Sequence, residues 1–342
     1  MHFAFTEDQA TINDAAREML VDSCTPADLR RLLEKGAALD DARWGTIRDM
    51  GLLGVCAPED KGGLGLGLID LAGIAEAAGY VALPEPLVEM AGITIPLLAR
   101  LDNNRGMLDR ALAGEIVALG HPTNPLVADA DIAGALLLGH GDEIHLVERD
   151  AVTLAREESF DPFRRLFRVD WTPSAATHVG TGWSDTAERG AVLAAAQMLG
   201  LGQRCIDVAV AYAKDRNQFG KPIGSYQAVK HLLATAQVKI EFARPVVHAA
   251  AAELPLGNLA AKARIAHAKI AAAEAADLAA RTAVQVHGAM GMTWEVDVHF
   301  FLKRALALRA AWGTIGSHMD RVIHRMTAEP TGPAFTFASE LA

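Results

Sequence analysis

The chain has few aromatic residues and few cysteines, and each shortage excludes a class of protein. Phe, Trp and Tyr make up 6% of its 342 residues. Cys24, Cys56 and Cys205 lie far apart without a CxxC pair, which excludes a zinc ribbon or a disulfide framework. This spacing favours reduced thiols in a cytoplasmic protein. The histidines show no HExxH pattern, so we expect no metal site.

Positive charge and long apolar runs are also scarce. Lys and Arg number 32 against 42 Asp and Glu, which gives a net charge of −10, whereas nucleic-acid binders are usually basic. The longest apolar runs, such as residues 132–139, are too short to span a bilayer. The N-terminus has neither a basic nor an apolar stretch, so we expect no secretory leader. The sequence therefore predicts no nucleic-acid or membrane partner.

Hydrophobic residues and alanine are abundant. Hydrophobic residues make up 51% of the chain and charged residues 22%, which excludes intrinsic disorder. The length fits two or three domains. Alanine favours helix and lets helices approach closely. We therefore expect a largely helical, well-packed protein.

The first 115 residues read as a helical domain. Thr6 followed by Gln9 predicts a capped helix start, and further helices are expected at 41–50, 68–79 and 86–101. Residues 58–67 contain one Pro and four Gly. No GxGxxG follows a strand there, so this segment is predicted to connect helices and not to bind phosphate.

The rest of the chain divides into a β-like segment, a long helical segment and a short tail. Residues 116–183 contain short β-like runs split by Gly, Asp, Asn and Pro, which predicts a small antiparallel domain. Residues 184–328 contain four long helical patterns, the last broken near Gly313, which predicts a four-helix bundle. Residues 329–342 read as a loose tail. The predicted fold class is α+β: a helical domain, a small β domain and a bundle.

Two segments carry a family resemblance. The first is Arg216-Asn-Gln-Phe-Gly-Lys-Pro-Ile-Gly-Ser-Tyr-Gln227, and the second is Gln285-Val-His-Gly-Ala-Met-Gly291. They resemble the R-x-Q-F-G-x-x-I-x-x-F-Q and Q-x-x-G-G-x-G patterns of acyl-CoA dehydrogenases, with Tyr226 and Ala289 as departures. The Gly-rich loop at 58–67 and the predicted domain order resemble that family too.

The resemblance implies FAD contacts. An Arg guanidinium is a fixed fork of donors suited to a diphosphate, the role implied for Arg216, and Phe219 would pack at the adenine end. Gln285, Gly288 and Gly291 would let FAD approach the backbone. In this family these groups usually reach into the FAD of a neighbouring subunit. The expected cofactor contacts at matching positions are Arg216, Phe219, Gln227, Gln285, Gly288, Gly291 and Thr314. Taken alone, each segment also fits an ordinary helix end and turn.

The catalytic base of the family is missing. A Glu that removes the α proton of the acyl thioester is usual just before Gly-Thr, where this chain has Trp312. The alternative place is 26 residues before the motif Arg, which is Gly190. Glu188 lies two residues away, on roughly the opposite helix face. The resemblance therefore implies no catalytic residue in this chain.

The segments that hold the flavin ring in the family are missing too. Residues 121–125 take the place of its T-E-P-x-A-G-S-D-like loop without the acidic and Ser groups, and no W-I-T-N-like strand is found. The resemblance is thus closest to the non-catalytic subunit of α2β2 dehydrogenases that shorten steroid side chains, where T-W-E-x-D-x-H, here residues 293–299, recurs.

Three functions remain open at this stage. The first is a base-lacking subunit that helps a catalytic paralogue desaturate an acyl-CoA with a shared FAD. The second is a homomeric FAD enzyme with Glu188 or Glu295 as its base. Glu295 and His299 are spaced to share a helix face, and the preferred interpretation of that pair is a polar cluster and interface pair at a helix start, not catalysis. The third is a non-enzymatic assembly subunit. The implied partners are a paralogous subunit, an acyl-CoA and an electron-transfer flavoprotein.

Overall fold

A computed structural model describes residues 6–183 and 185–329. The predicted tail lies outside the described residues, apart from Glu329. The first region is helical, and Thr6 caps its first helix through a reciprocal bond pair with Gln9, which confirms the predicted start. The helices are α1 (Glu7–Ser23), α2 (Pro26–Lys35), α3 (Asp41–Asp49), α4 (Leu68–Tyr80), α5 (Leu87–Glu89), α6 (Ile95–Arg100) and α7 (Met107–Leu112).

One helix of this region is irregular. A π-helical turn, Met90–Thr94, joins α5 to α6, so the predicted helix at 86–101 is continuous but locally widened. Such turns are rare and frequently occur at functional sites. Glu89 and Thr94 lie at its two ends and, as described below, line a cavity.

The middle region forms two small sheets. The strands are β1 (Val117–Gly120), β2 (Val127–Ala128), β3 (Ala135–His140), β4 (Glu143–Glu148), β5 (Thr153–Glu157), β6 (Leu166–Asp170) and β7 (His178–Thr181). One sheet has the order β1-β3-β4-β7 and the other β2-β6-β5.

The prediction of a purely antiparallel domain is wrong at one pair. β1 and β3 are parallel, with Val117 opposite Ala135. The chain leaves β1, adds β2 to the other sheet and returns in the same direction, and parallel neighbours require such a crossover.

The last region is the helical bundle. It comprises α8 (Thr186–Asp215), a hairpin of β8 (Asn217–Gln218) and β9 (Lys221–Pro222), α9 (Gln227–Glu253), α10 (Leu259–His287), α11 (Val298–Ala310) and α12 (Ile315–Ala328). The break predicted near Gly313 is confirmed between α11 and α12. None of the helices within the described ranges is both long and apolar enough to cross a membrane.

Glycine lets the first region dock closely on the bundle. A Cβ at Gly79 of α4 would lie 2.0 Å from the carbonyl oxygen of Gln197, and one at Gly200 of α8 would lie 1.9 Å from that of Glu76. The two backbones therefore cross in direct contact. The π-helical turn also packs on α8, where a Cβ at Gly92 would lie 2.2 Å from the Leu193 side chain.

Candidate functional site

The predicted site residues lie at two ends of the bundle. α8 and α10 run parallel, because Gly202 faces Ala276 and the Tyr212 ring stacks on His287 at 4.2 Å. Their carboxyl ends therefore meet, which brings the Arg216 segment beside the Gln285 segment. We call this the hairpin end. The turn at residues 311–314 contacts the first turns of α8 at Gly190, and we call this the turn end.

Arg216 and Phe219 are presented to solvent at the hairpin end. Within the described residues the Arg216 side chain makes no hydrogen bond or ion pair, although its carbonyl accepts a bond from Ile223. Phe219 is 92% exposed and has φ 53°, a left-handed conformation that is costly for a bulky residue. The Tyr226 hydroxyl donates to the Gln218 carbonyl at 3.2 Å and braces the hairpin, which explains the Tyr in place of the usual Phe.

The Gln285 segment lies beside the Arg216 segment at the hairpin end. Gln285 is exposed on the last turn of α10, and Gly288 has φ 61°, which ends the helix. A Cβ at Gly291 would lie 2.7 Å from the Val284 carbonyl oxygen, so only glycine fits there. Gln227 is exposed at the start of α9. The structure thus brings six of the seven predicted cofactor residues to one end of the bundle.

Thr314, the seventh residue, lies at the turn end. Its hydroxyl caps α12 by accepting a bond from the Ser317 N–H at 3.2 Å. Arg216 and Gly190 are separated by 26 residues of one helix, about 39 Å at 1.5 Å per residue. Thr314 is therefore not brought together with the other six residues.

The two positions expected to carry the base touch each other at the turn end. A Cβ at Gly190 would lie 2.1 Å from the Trp312 indole ring, so the indole lies flat against the glycine. Trp312 has φ 57°, a left-handed conformation rare for a large side chain. The aromatic ring fills the space where either carboxylate would stand.

The neighbours of Trp312 extend this packing. The His121 ring lies 5.2 Å from the Trp183 ring and 6.2 Å from the Trp312 ring, both edge-on. Burial lowers the pKa of His121, and Glu188 partly opposes that shift. Arg321 of α12 lies 3.4 Å from Glu188. His121, in the segment that takes the place of a flavin-holding loop, therefore packs with two indoles.

Two buried nitrogen-bearing side chains, Lys269 and His318, hold the turn that carries Trp312. Lys269 of α10 is fully buried and donates from Nζ to the carbonyls of Leu308 and Arg309 at the end of α11. His318 of α12 lies with Nε2 3.0 Å from the Trp312 carbonyl. Burial, with Arg164 and Arg309 nearby, lowers the pKa of Lys269 to about 7.

The expectation that Glu295 and His299 share a helix face is wrong. α11 begins at Val298, and Glu295 lies exposed in the preceding turn. The His299 ring instead packs between Trp294 and Phe300, at 4.3 and 4.1 Å. Burial lowers the pKa of His299 to about 4, so at neutral pH it is an uncharged packing residue.

A cavity borders Trp312 that the sequence does not predict. The π-helical turn, β1 and α11 surround it, and its polar lining includes Glu89, Thr94, Asp129, Arg164 and Gln197. These residues come from four separate parts of the chain, so no local pattern marks them. Lys269 could have been noticed in the sequence, because no other Lys or Arg lies between Arg264 and Arg281 in this Ala-rich helix.

The chain matches known proteins along most of its length. Residues 6–101 match the family model "Acyl-CoA dehydrogenase, N-terminal domain", and residues 182–327 match "Acyl-CoA dehydrogenase, C-terminal domain". The chain is 34% identical over 306 residues to "Acyl-CoA dehydrogenase IpdE2" of Mycolicibacterium smegmatis, covering 88% of this chain and 93% of that protein.

Solved structures share the fold. The crystal structure of the ChsE4-ChsE5 complex from Mycobacterium tuberculosis superposes with a TM-score of 0.84 at 23% identity, covering 97% of this chain and all of that one. The "Tcur3481-Tcur3483 steroid ACAD G363A variant" gives 0.82 at 22% identity, with 94% and 98% coverage. Because residues 6–101 and 182–327 match its two domain models and IpdE2 is 34% identical, the chain belongs to the acyl-CoA dehydrogenase family.

Proposed function

We propose that this chain is the base-lacking subunit of a heteromeric, FAD-dependent acyl-CoA dehydrogenase. It completes the FAD site of a catalytic paralogue through its hairpin end, and the paralogue desaturates the acyl-CoA. The resemblance to ChsE4-ChsE5 and to the Tcur3481-Tcur3483 steroid enzyme supports a paralogous partner. An electron-transfer flavoprotein is the expected electron acceptor.

The contact between Trp312 and Gly190 is the observation that carries this proposal. Proton abstraction needs a carboxylate or another base beside the α carbon, and an indole cannot accept that proton. Both usual positions are lost, and the two residues fit each other. A glycine left by chance would leave a gap, whereas here the indole fills it.

The hairpin end suits the adenosine diphosphate part of FAD. The Arg216 fork has no protein partner within the described residues and matches a diphosphate, while the exposed Phe219 ring provides a stacking surface. Gly288, which has nothing within 4 Å of an added Cβ, leaves backbone open to close approach, whereas Gly291 packs against Val284. Bound FAD would supply the hydride acceptor of the reaction.

The turn end does not suit the flavin ring. Trp312, Trp183 and His121 occupy this corner, and Glu188 has Arg321 beside it. Because the two ends lie about 39 Å apart, one FAD cannot contact both within a single chain. A second chain has to contribute the ring site. Because Trp312 and His121 occupy the turn end of this chain, a different chain, the catalytic paralogue, is favoured over a second copy with Glu188 as base.

Co-expression tests this proposal. The chain expressed alone is expected to purify colourless, and the chain co-expressed with a catalytic paralogue is expected to purify yellow and to oxidise an acyl-CoA. A yellow, active protein from this chain alone would refute the proposal and favour the homomeric enzyme. A stable pair without flavin would leave only an assembly role.

Arg216→Ala tests the hairpin end directly. Removing a charge-assisted contact to a diphosphate is expected to weaken FAD retention by the complex about tenfold or more. The flavin-to-protein absorbance ratio after dialysis measures this loss. Arg168→Ala, which removes an exposed guanidinium of β6, is the matched control. Equal flavin content in both variants would contradict the assignment.

A further inference from the structure

A separate cleft lies between the start of the Gly-rich loop, α6 and the start of α8, and we call it the loop cleft. It has a volume of about 190 Å³, large enough for several non-hydrogen atoms. Its apolar wall includes Pro58, Ile93 and Leu97. Among the described residues, none lines both this cleft and the cavity beside Trp312. The loop cleft is therefore a distinct space between the first region and the bundle.

The charged residues that line the loop cleft carry an excess of positive charge. Asp185 lies between two guanidinium groups, with Arg100 Nη1 at 2.7 Å from Oδ1 and Arg189 Nε at 2.8 Å from Oδ2. Lys61 adds a further cation, because its ammonium donates to the carbonyl of the lining residue Ala99. One carboxylate thus stands against two lining guanidinium groups, which leaves room for one more negative charge.

Two polar groups of the loop cleft have spare hydrogen-bonding capacity. Arg189 Nη1 donates to the Gly92 carbonyl at 3.0 Å, whereas Nη2 donates to no oxygen of the described chain. Thr186 is 1% exposed, and its hydroxyl is buried without a partner in the described residues. A buried hydroxyl without a partner is costly. Because the two residues are three apart on α8, they share a helix face and can donate to the same ligand.

The thiol of Cys56 in this cleft favours a reversible ligand over a covalent one. Burial raises the pKa of Cys56 to about 11, although the nearby Arg189 opposes that shift. The thiol donates to the Gly67 carbonyl at 3.6 Å. Because the thiolate is the reactive form of cysteine, a thiol that keeps its proton at neutral pH is a packing group.

We infer that the loop cleft binds the carboxylate of a short-chain monocarboxylic acid. One carboxylate oxygen accepts from the Arg189 guanidinium and the other from the Thr186 hydroxyl, while the alkyl chain packs on the apolar wall. A single negative charge balances the excess of the lining guanidinium groups. The bound acid contacts both α6 and α8, so it links the first region to the bundle.

Ligand-detected NMR titration of the full chain with sodium butyrate tests this inference. Butyramide has the same shape without the charge, and we expect butyrate to bind about tenfold more tightly. Equal dissociation constants for the two probes would overturn the inference. Inorganic phosphate that binds as tightly as butyrate would overturn the choice of a monocarboxylate. Since neither FAD nor a partner takes part, the result is independent of the proposed function.

Two variants locate the site. Arg189→Gln is expected to weaken butyrate binding about tenfold, and Thr186→Val about fivefold, as the loss of a charge-assisted and of a neutral hydrogen bond would give. Arg168→Gln, at an exposed guanidinium of β6, and Thr282→Val, at a buried Thr of α10, should keep the wild-type affinity.

Thermal melting checks that each of these variants folds. Thr186→Val is the smaller change, and it decides the case if Arg189→Gln does not fold. Wild-type affinity for butyrate in a folded variant of the loop cleft would place the binding elsewhere and refute the assignment.

Discussion

At the scale of single residues, the contact between Gly190 and Trp312 has an energetic consequence. Glycine inside a helix normally costs about 1 kcal/mol relative to alanine, because it has more backbone freedom to lose. At Gly190 the absent Cβ makes room for an indole ring. At this position glycine should therefore give the more stable protein, although alanine usually stabilises a helix.

Gly190→Ala is expected to lower the free energy of unfolding by about 1–3 kcal/mol, because the new methyl overlaps the indole. Gly45→Ala is the control: its Cβ would meet only Arg48 at 3.9 Å, so we expect a gain of about 0.5–1 kcal/mol. Urea unfolding measures both values.

A double-mutant cycle completes this test. With Trp312→Ala in place, Gly190→Ala should become neutral or stabilising, because the overlapping ring is gone. If Gly190→Ala costs the same free energy in both backgrounds, the two residues do not pack as described.

At the scale of elements, the end of α11 is held by the buried amine of Lys269. Lys269 serves as a C-terminal cap by donating to the carbonyls of Leu308 and Arg309 in the last turn of the helix. His318 adds a contact to the next turn, and its Nδ1 is buried without a hydrogen-bond partner in the described residues. These two side chains fix the turn that carries Trp312.

This arrangement predicts a pH dependence of stability. The unfolded chain binds a proton at Lys269 up to its ordinary pKa of 10.5, whereas the folded chain releases it near 7. Between those values the unfolded state binds more protons, so Lys269 makes the free energy of unfolding rise with pH.

Lys269→Met is expected to flatten that rise between pH 7.5 and 9.5. Urea midpoints at the two pH values measure it, and Lys239→Met, an exposed lysine of α9, should leave the wild-type slope unchanged. Parallel pH profiles for the wild type and Lys269→Met would show that Lys269 keeps its ordinary pKa.

At the scale of the whole molecule, an apolar surface lies on the middle of α9. Phe242 of α9 is 74% exposed and Val238, one turn earlier, is 50% exposed. α9 follows directly after the hairpin that carries Phe219. We expect this face to contact the paralogous subunit, because large aromatic side chains are enriched at the centres of interfaces.

Phe242→Glu is expected to weaken the assembly by about 2 kcal/mol or more, because a carboxylate would be buried at the interface. Sedimentation of the co-expressed complex measures this change. Phe160→Glu provides the matched control, since Phe160 is an exposed Phe of the middle region. Assembly that persists at equal strength in both variants would place the interface elsewhere.

Much of the fold follows from local pattern. Thr6 and Gln9 cap α1, Gly313 interrupts the last helix, and the alternation of short runs marks the strands, because caps and periodicity act over a few residues. The parallel pairing of β1 with β3 could not be predicted. It depends on β2 joining the other sheet, and no residue of β1 or β3 encodes that choice.

Part of the candidate site could likewise be predicted from the sequence, and part is visible only in the structure. The sequence alone determined that neither Trp312 nor Gly190 can act as the base, because an indole and a glycine cannot carry out proton transfer whatever their surroundings. Only the tertiary structure decided that the two residues fit each other, that Thr314 and Arg216 lie at opposite ends, and that Gln197 shares a cavity with Asp129. The type of a residue decides which reactions its side chain can carry out, whereas the contact between segments distant in sequence depends on how helices and sheets pack.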